Sequence, residues 1–79
     1  MKVKLHGIKR VPVTGEYIRL DSLLKFASVV STGGEAKIII QSGEVLIGGK
    51  QCFQRGRKIR PGSLVQCGGY ALLVEQARL

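Results

Sequence analysis

The run Thr32-Gly33-Gly34-Glu35, followed by apolar residues at helical spacing and then by a switch to alternation, constrains this chain more than any other stretch. A Thr at a helix N-cap accepts from the backbone N–H three residues on, and a Glu at that third position reaches back, so T-x-x-E marks a capping box. Ala36, Ile39 and Ile40 then share one helical face, and Gly43 supplies the left-handed residue that ends the helix. After Gly43 the period becomes two. Val45 and Ile47 alternate with Glu44 and Leu46, and Gly48-Gly49 is a two-residue link suited to a tight hairpin. The return strand is expected from Gln51 to Phe53.

Beyond the hairpin, Gln-Arg-Gly-Arg-Lys-Ile-Arg carries Arg55, Arg57, Lys58 and Arg60 with no acid among them. With Lys50 this puts five positive charges into the eleven residues 50–60, which a packed core cannot hold and a phosphate backbone would attract. The bland alternative is a solvated basic face. The formal net charge of +8 on 79 residues favours a polyanionic partner, nucleic acid ahead of an anionic membrane surface. Membrane-surface binding would need a basic amphipathic helix, whereas these cations fall mostly in an N-terminal arm and a loop.

The order of these motifs resembles a known family. T-G-G-E-A-K, an apolar run, S-G-E-V-L-I-G-G-K and R-G-R-K-I-R-P-G, preceded by D-S-L-L-K-F-A, are similar to the RNA-binding domain named after small-subunit ribosomal protein S-four, also called the alpha-L motif. The compact form resembles the small stand-alone members of YaaA/YbcJ type, and the likeness runs from about Tyr17 to Val74. It implies an α+β fold in which two packed helices are followed by a small antiparallel sheet. It also implies an RNA surface made from the start and exposed face of the second helix and the adjoining hairpin. Carried over by position, that surface is Thr32, Gly33, Lys37 and Lys50, with the basic loop beside them. Three positions depart from the family pattern: Gly33 where an Arg is common, Gly48 where an Asn usually precedes the turn Gly, and Ser63 where an Asp often follows Gly62.

Elsewhere the chain fits one small domain, since a chain of this mass buries only about three-fifths of its unfolded surface. Asp21 is a good N-cap, and Leu20, Leu23, Leu24, Ala27 and Val30 form a stripe, so the first helix is expected from Ser22 to Val29. Lys25 and Lys37 then lie on outer faces, and Phe26 and Phe53 are expected in the core. Arg60-Pro61-Gly62-Ser63 suits a type II turn, and Gly68-Gly69 joins strands at Leu64 to Cys67 and Tyr70 to Val74. Residues 1–16, with Lys2, Lys4, Lys9 and Arg10, form either a basic arm reaching for phosphates or an edge strand, ahead of a domain over 17–79.

Catalysis has little to stand on. His6 sits in the basic arm, the five acids are scattered, and no phosphate-loop glycine signature occurs. Cys52 and Cys67 with His6 fall short of a metal set and read as reduced core thiols. Gly33 and Gly34 at a helix start either admit a phosphate or simply ease the turn between helices. With Phe26 and Phe53 inside, only Tyr17 and Tyr70 remain, too few for a base-stacking platform. The sequence therefore predicts a cytoplasmic, monomeric, cofactor-free RNA binder using Lys25, Thr32, Gly33, Lys37, Lys50, Arg55, Arg57, Lys58 and Arg60. The resemblance implies ribosomal RNA or ribosome-bound tRNA, in ribosome assembly or stalled-ribosome quality control. A basic adaptor for an acidic protein is the competing expectation.

Overall fold

A computed structural model describes residues 7–77, so the expectations for Lys2, Lys4 and His6 lie outside the described residues. The order is β1 (Ile8–Val13), β2 (Ile18–Arg19), α1 (Leu20–Phe26), α2 (Gly33–Gln41), β3 (Val45–Ile47), β4 (Lys50–Gln51), β5 (Lys58–Ile59), β6 (Leu64–Cys67) and β7 (Tyr70–Gln76). Five strands form one sheet in the order β1-β7-β6-β3-β4, and β2 pairs with β5 apart from it. The expectation of helices followed by a purely antiparallel sheet is corrected on both points. Two strands precede the helices, and β1 runs parallel to β7, with Ile8 opposite Ala71 and Val11 opposite Val74. Alternation at Val11 and Val13 shows a half-buried strand but carries no direction. A parallel partner also needs a long crossover, here everything from β2 to β6.

Pro12 fits this edge. The Val13 carbonyl accepts from Ala77 N–H at 2.8 Å, so Val13 and Val11 turn their peptide groups toward β7 and Pro12 turns its own to the open side. A missing N–H costs nothing there. On the core side of the same strand, the Lys9 ammonium donates to Ala27 O at 2.9 Å and ties β1 to the end of α1.

The hairpins form as the glycine pairs require: Gly48 and Gly49 have φ of 59° and 85°, and Gly68 and Gly69 have 52° and 91°. Positions 60–63 close with Ser63 N–H donating to Arg60 O at 3.1 Å. The return strand β4 is shorter than expected. Cys52 N–H still donates to Val45 O, but by Phe53 the chain has left the sheet, and that side chain is 53% exposed. Phe26 is likewise 60% exposed. At 100° per residue it lies roughly a third of a turn away from the Leu20, Leu23, Leu24, Ala27 stripe, so helical geometry turns it outward. Both expected core aromatics are therefore corrected to surface residues.

The core is one cluster in which Leu20, Leu23, Leu24, Ala27, Val30, Ala36 and Ile40 meet Val45, Val65, Leu72 and Val74. Cys52 and Cys67 are buried in it as free thiols, and burial, followed by the Glu44 charge, pushes the Cys67 thiol up.

The first helix begins two residues earlier than expected and ends three earlier. Its N-cap is Arg19, which makes no side-chain cap, and Asp21 falls inside the first turn. The free N–H groups find acceptors elsewhere: Leu20 donates to Arg57 O at 2.9 Å and Asp21 to Arg55 O at 3.1 Å. A local Asp cap is unnecessary when a distant loop supplies the carbonyls. At the other end Ser28 takes a left-handed φ of 61°, with Ser28 N–H on Lys25 O and Val29 N–H on Leu24 O. This is the double closure that usually falls to glycine.

Candidate nucleic-acid interface

The start of α2 is built by its own side chains. Thr32 Oγ1 accepts from Glu35 N–H at 3.1 Å, and Glu35 Oε1 accepts from Ser31 N–H at 3.0 Å. The Glu reaches one residue further back than the usual box, so its carboxylate closes the connection to α1 as well as the helix.

The segment after β4 then runs back along α2. Gln51 Nε2 donates to Gly43 O at 3.0 Å, at the C-terminal end of the helix, and the Phe53 ring lies 3.2 Å from where a Gly43 Cβ would stand. At the N-terminal end, Arg55 Nη2 lies 4.0 Å from the corresponding point over Gly33. The lengths agree. Nine helical residues rise about 13 Å, and four extended steps from 51 to 55 cover about the same. Where the family pattern commonly has an Arg at position 33, this chain has a glycine with a loop guanidinium over it.

Arg55 is held from behind by Asp21, whose side chain is only 12% exposed. The carboxylate takes a forked pair from Arg19 (Nε to Oδ1 and Nη2 to Oδ2, both 3.2 Å) and Ser22 N–H at 2.9 Å. Arg55 Nε stands 3.7 Å away, too far for a hydrogen bond, and is buried without one. Planar guanidinium forks suit this double recognition of a carboxylate, and an ammonium would not reproduce it. Arg19 also lies over Gly56, 3.7 Å from the position of a Cβ there.

The remaining cations of the loop face outward. Arg57, Lys58 and Arg60 are exposed, and Lys58 sits 4.9 Å over the Tyr17 ring, a cation–π contact across the β2–β5 pair. The structure thus brings together Thr32, Gly33 and Arg55, with Lys37 one turn further along the same flank of α2, and continues this group through Arg57 to Lys58. No hydrogen bond or ion pair joins Lys25, Lys50 or Arg60 to it among the described residues. Lys25 is on the last turn of α1, Lys50 on edge strand β4, and Arg60 at the start of the 60–63 turn, all exposed. Arg19, Asp21 and Tyr17 are the members that sequence reasoning did not assign. The only available signal was the acid at position 21 with an Arg two residues before it. Among the described residues no three His, Cys, Asp or Glu side chains gather to hold a metal, and no helix is long and apolar enough to cross a membrane.

The family model described as S4 domain matches residues 11–75, from β1 into β7. The chain belongs to the S4-domain family. It is also 35% identical over 60 residues, 76% of this chain and 84% of the relative, to a protein of Bacillus subtilis (strain 168) described as a probable ribosome maturation protein, RlbA. The S4 match contains both helices, all of the hairpins and the loop that carries Arg55 to Arg60.

Proposed function

We propose that this S4-domain chain is a non-catalytic, monomeric, cytoplasmic RNA-binding protein that holds structured RNA on a basic face. The face comprises the start and outer flank of α2 (Thr32, Gly33, Lys37), the β3–β4 hairpin with Lys50, and the segment with Arg55, Arg57, Lys58 and Arg60, with Lys25 extending it. The observation that carries this reading is the seating of the Arg55 guanidinium over Gly33, which docks the basic loop against the open end of α2. Arg55 has an internal partner, so it shapes the face, while Arg57, Lys58 and Arg60 remain exposed for phosphates. Ribosomal RNA is the favoured target and ribosome assembly the favoured process, because the Bacillus subtilis relative is described as a probable ribosome maturation protein. Ribosome-bound tRNA and stalled-ribosome quality control are the narrower alternatives.

The test is sedimentation of tagged protein from lysate at low and high salt, followed by sequencing of the RNA crosslinked to it. The expected result is cosedimentation with a ribosomal particle, lost at high salt and weakened in the triple variant Arg57→Ala, Lys58→Ala, Arg60→Ala. Five neutralised phosphates correspond to a slope of log affinity against log salt of about −3.5 to −4.5. Protein that stays at the top of the gradient without enriched RNA points instead to an acidic protein partner.

A further inference from the structure

Two exposed aromatics border one groove. Phe26, turned out of the core at the end of α1, and Tyr17, before β2, line a groove of about 240 Å³ together with Pro12, Val13, Thr14 and Ile18. The pockets of drug-sized ligands run to about 300–1,000 Å³, so this one suits a single planar ring system. Its lining is mostly apolar and offers no charged group of its own. The charges stand at the two ends. On one side Lys58 lies over the Tyr17 ring. On the other, a second groove shares Pro12 and Phe26 and is lined by Lys9 and Arg10. The Lys9 ammonium is bonded to Ala27 O, whereas Arg10 is 76% exposed and meets Glu75 only at 3.6 Å.

We infer that this groove takes an unpaired nucleobase of the bound RNA, stacked against Phe26 and Tyr17, with the flanking phosphates on Lys58 and Arg10. The inference rests on the RNA-binding reading and specifies the kind of RNA: a helix carrying a bulge, loop or single-stranded end beside it. An aromatic-lined slot between two cations matches a nucleotide strand, in which each π face is followed by a negative charge. The site is continuous with the basic loop through β5, so the strand that leaves Arg57 and Lys58 reaches Tyr17 next. An apolar protein segment could fill the slot, but it would bring no phosphates to the cations at both ends.

The test measures the affinity of the full chain for two labelled RNA hairpins, one fully paired and one with a single unpaired adenosine in the stem, over a range of salt. The wild type is expected to prefer the bulged RNA. Phe26→Ala should abolish that preference, weakening the bulged complex by about 5- to 150-fold, the range for one lost stacking contact. It should leave the paired stem and the salt slope unchanged, since stacking releases no counterions. Phe26→Leu, which keeps apolar bulk and loses the π face, should behave the same way, and thermal unfolding checks that both variants are folded. If both RNAs bind and neither Phe26 variant changes either affinity, the groove is not a base site and RNA binding itself stands. If neither RNA binds, the RNA-binding reading falls and the inference with it. A photocrosslinker at position 26 should give RNA adducts in lysate, and protein adducts alone would overturn the inference.

Discussion

Both helices begin with backbone N–H groups that need acceptors, and they obtain them from opposite places. At the start of α2, Thr32 and Glu35 serve Glu35 and Ser31 from within a few residues. At the start of α1 the first two N–H groups donate to Arg57 O and Arg55 O, more than thirty residues away, while Asp21 takes Ser22 N–H together with the side chains of Arg19 and Arg55. The helix ends differ too. Gly43 closes α2 with φ 85°, while Ser28 closes α1 with φ 61°. One helix is thus finished by its own sequence and remains open to solvent. The other is finished by the basic loop, and in return fixes where that loop lies.

Substitution at Asp21 should separate the two most sharply. Asp21→Ala leaves two guanidinium groups without their carboxylate. Breaking a fully buried pair costs about 3–5 kcal/mol, and the partial exposure of both arginines lowers the expectation here to about 2–3 kcal/mol. Urea unfolding gives the loss, and amide exchange should show the start of α1 and residues 55–57 opening together. Next comes Gly43→Ala, which forces a left-handed Ala and places its Cβ 2.8 Å from Gln51 Nε2 and 3.2 Å from the Phe53 ring. About 2 kcal/mol is expected, read as a lower thermal midpoint. Thr32→Ala removes a local cap and should cost about 1 kcal/mol, with faster exchange confined to the first turn of α2. Equal loosening of residues 55–57 in that variant would show that the two helix starts are coupled. The smallest effect has the opposite sign: Ser28→Gly relieves the left-handed strain and should raise stability by about 0.5–1 kcal/mol in the same melts.

The contrast also explains what the sequence disclosed. The capping box, Gly43, both Gly-Gly hairpins, the 60–63 turn and the stripe Leu20, Leu23, Leu24, Ala27 were legible because each depends on residues a few positions apart. The start of α1 is not legible locally, because Asp21 has the chemistry of a cap and nothing nearby reveals that Arg55 and Arg57 supply the carbonyls. The direction of β1 was hidden for the same reason. Residue type alone points Phe26 and Phe53 inward, against the helical angle of one and the end of the ladder at the other. Within the candidate interface, the cations were visible as a cluster. Their division into Arg55, which is anchored, and Arg57, Lys58 and Arg60, which are exposed, needed the fold.

The parallel pairing of β1 with β7 bears on how the chain matures during synthesis. Ile8 and Ala71 face each other, so β1 finds its neighbour only after the helices and hairpins between them have been translated. The intervening helices and hairpins can collapse beforehand, but β1 must wait as an unpaired strand while they do. Contacts of such long sequence separation slow folding, because chain closure is paid before any ladder bond forms. Pro12 and the positive charges of Lys9 and Arg10 give that waiting edge poor material for pairing with another nascent chain.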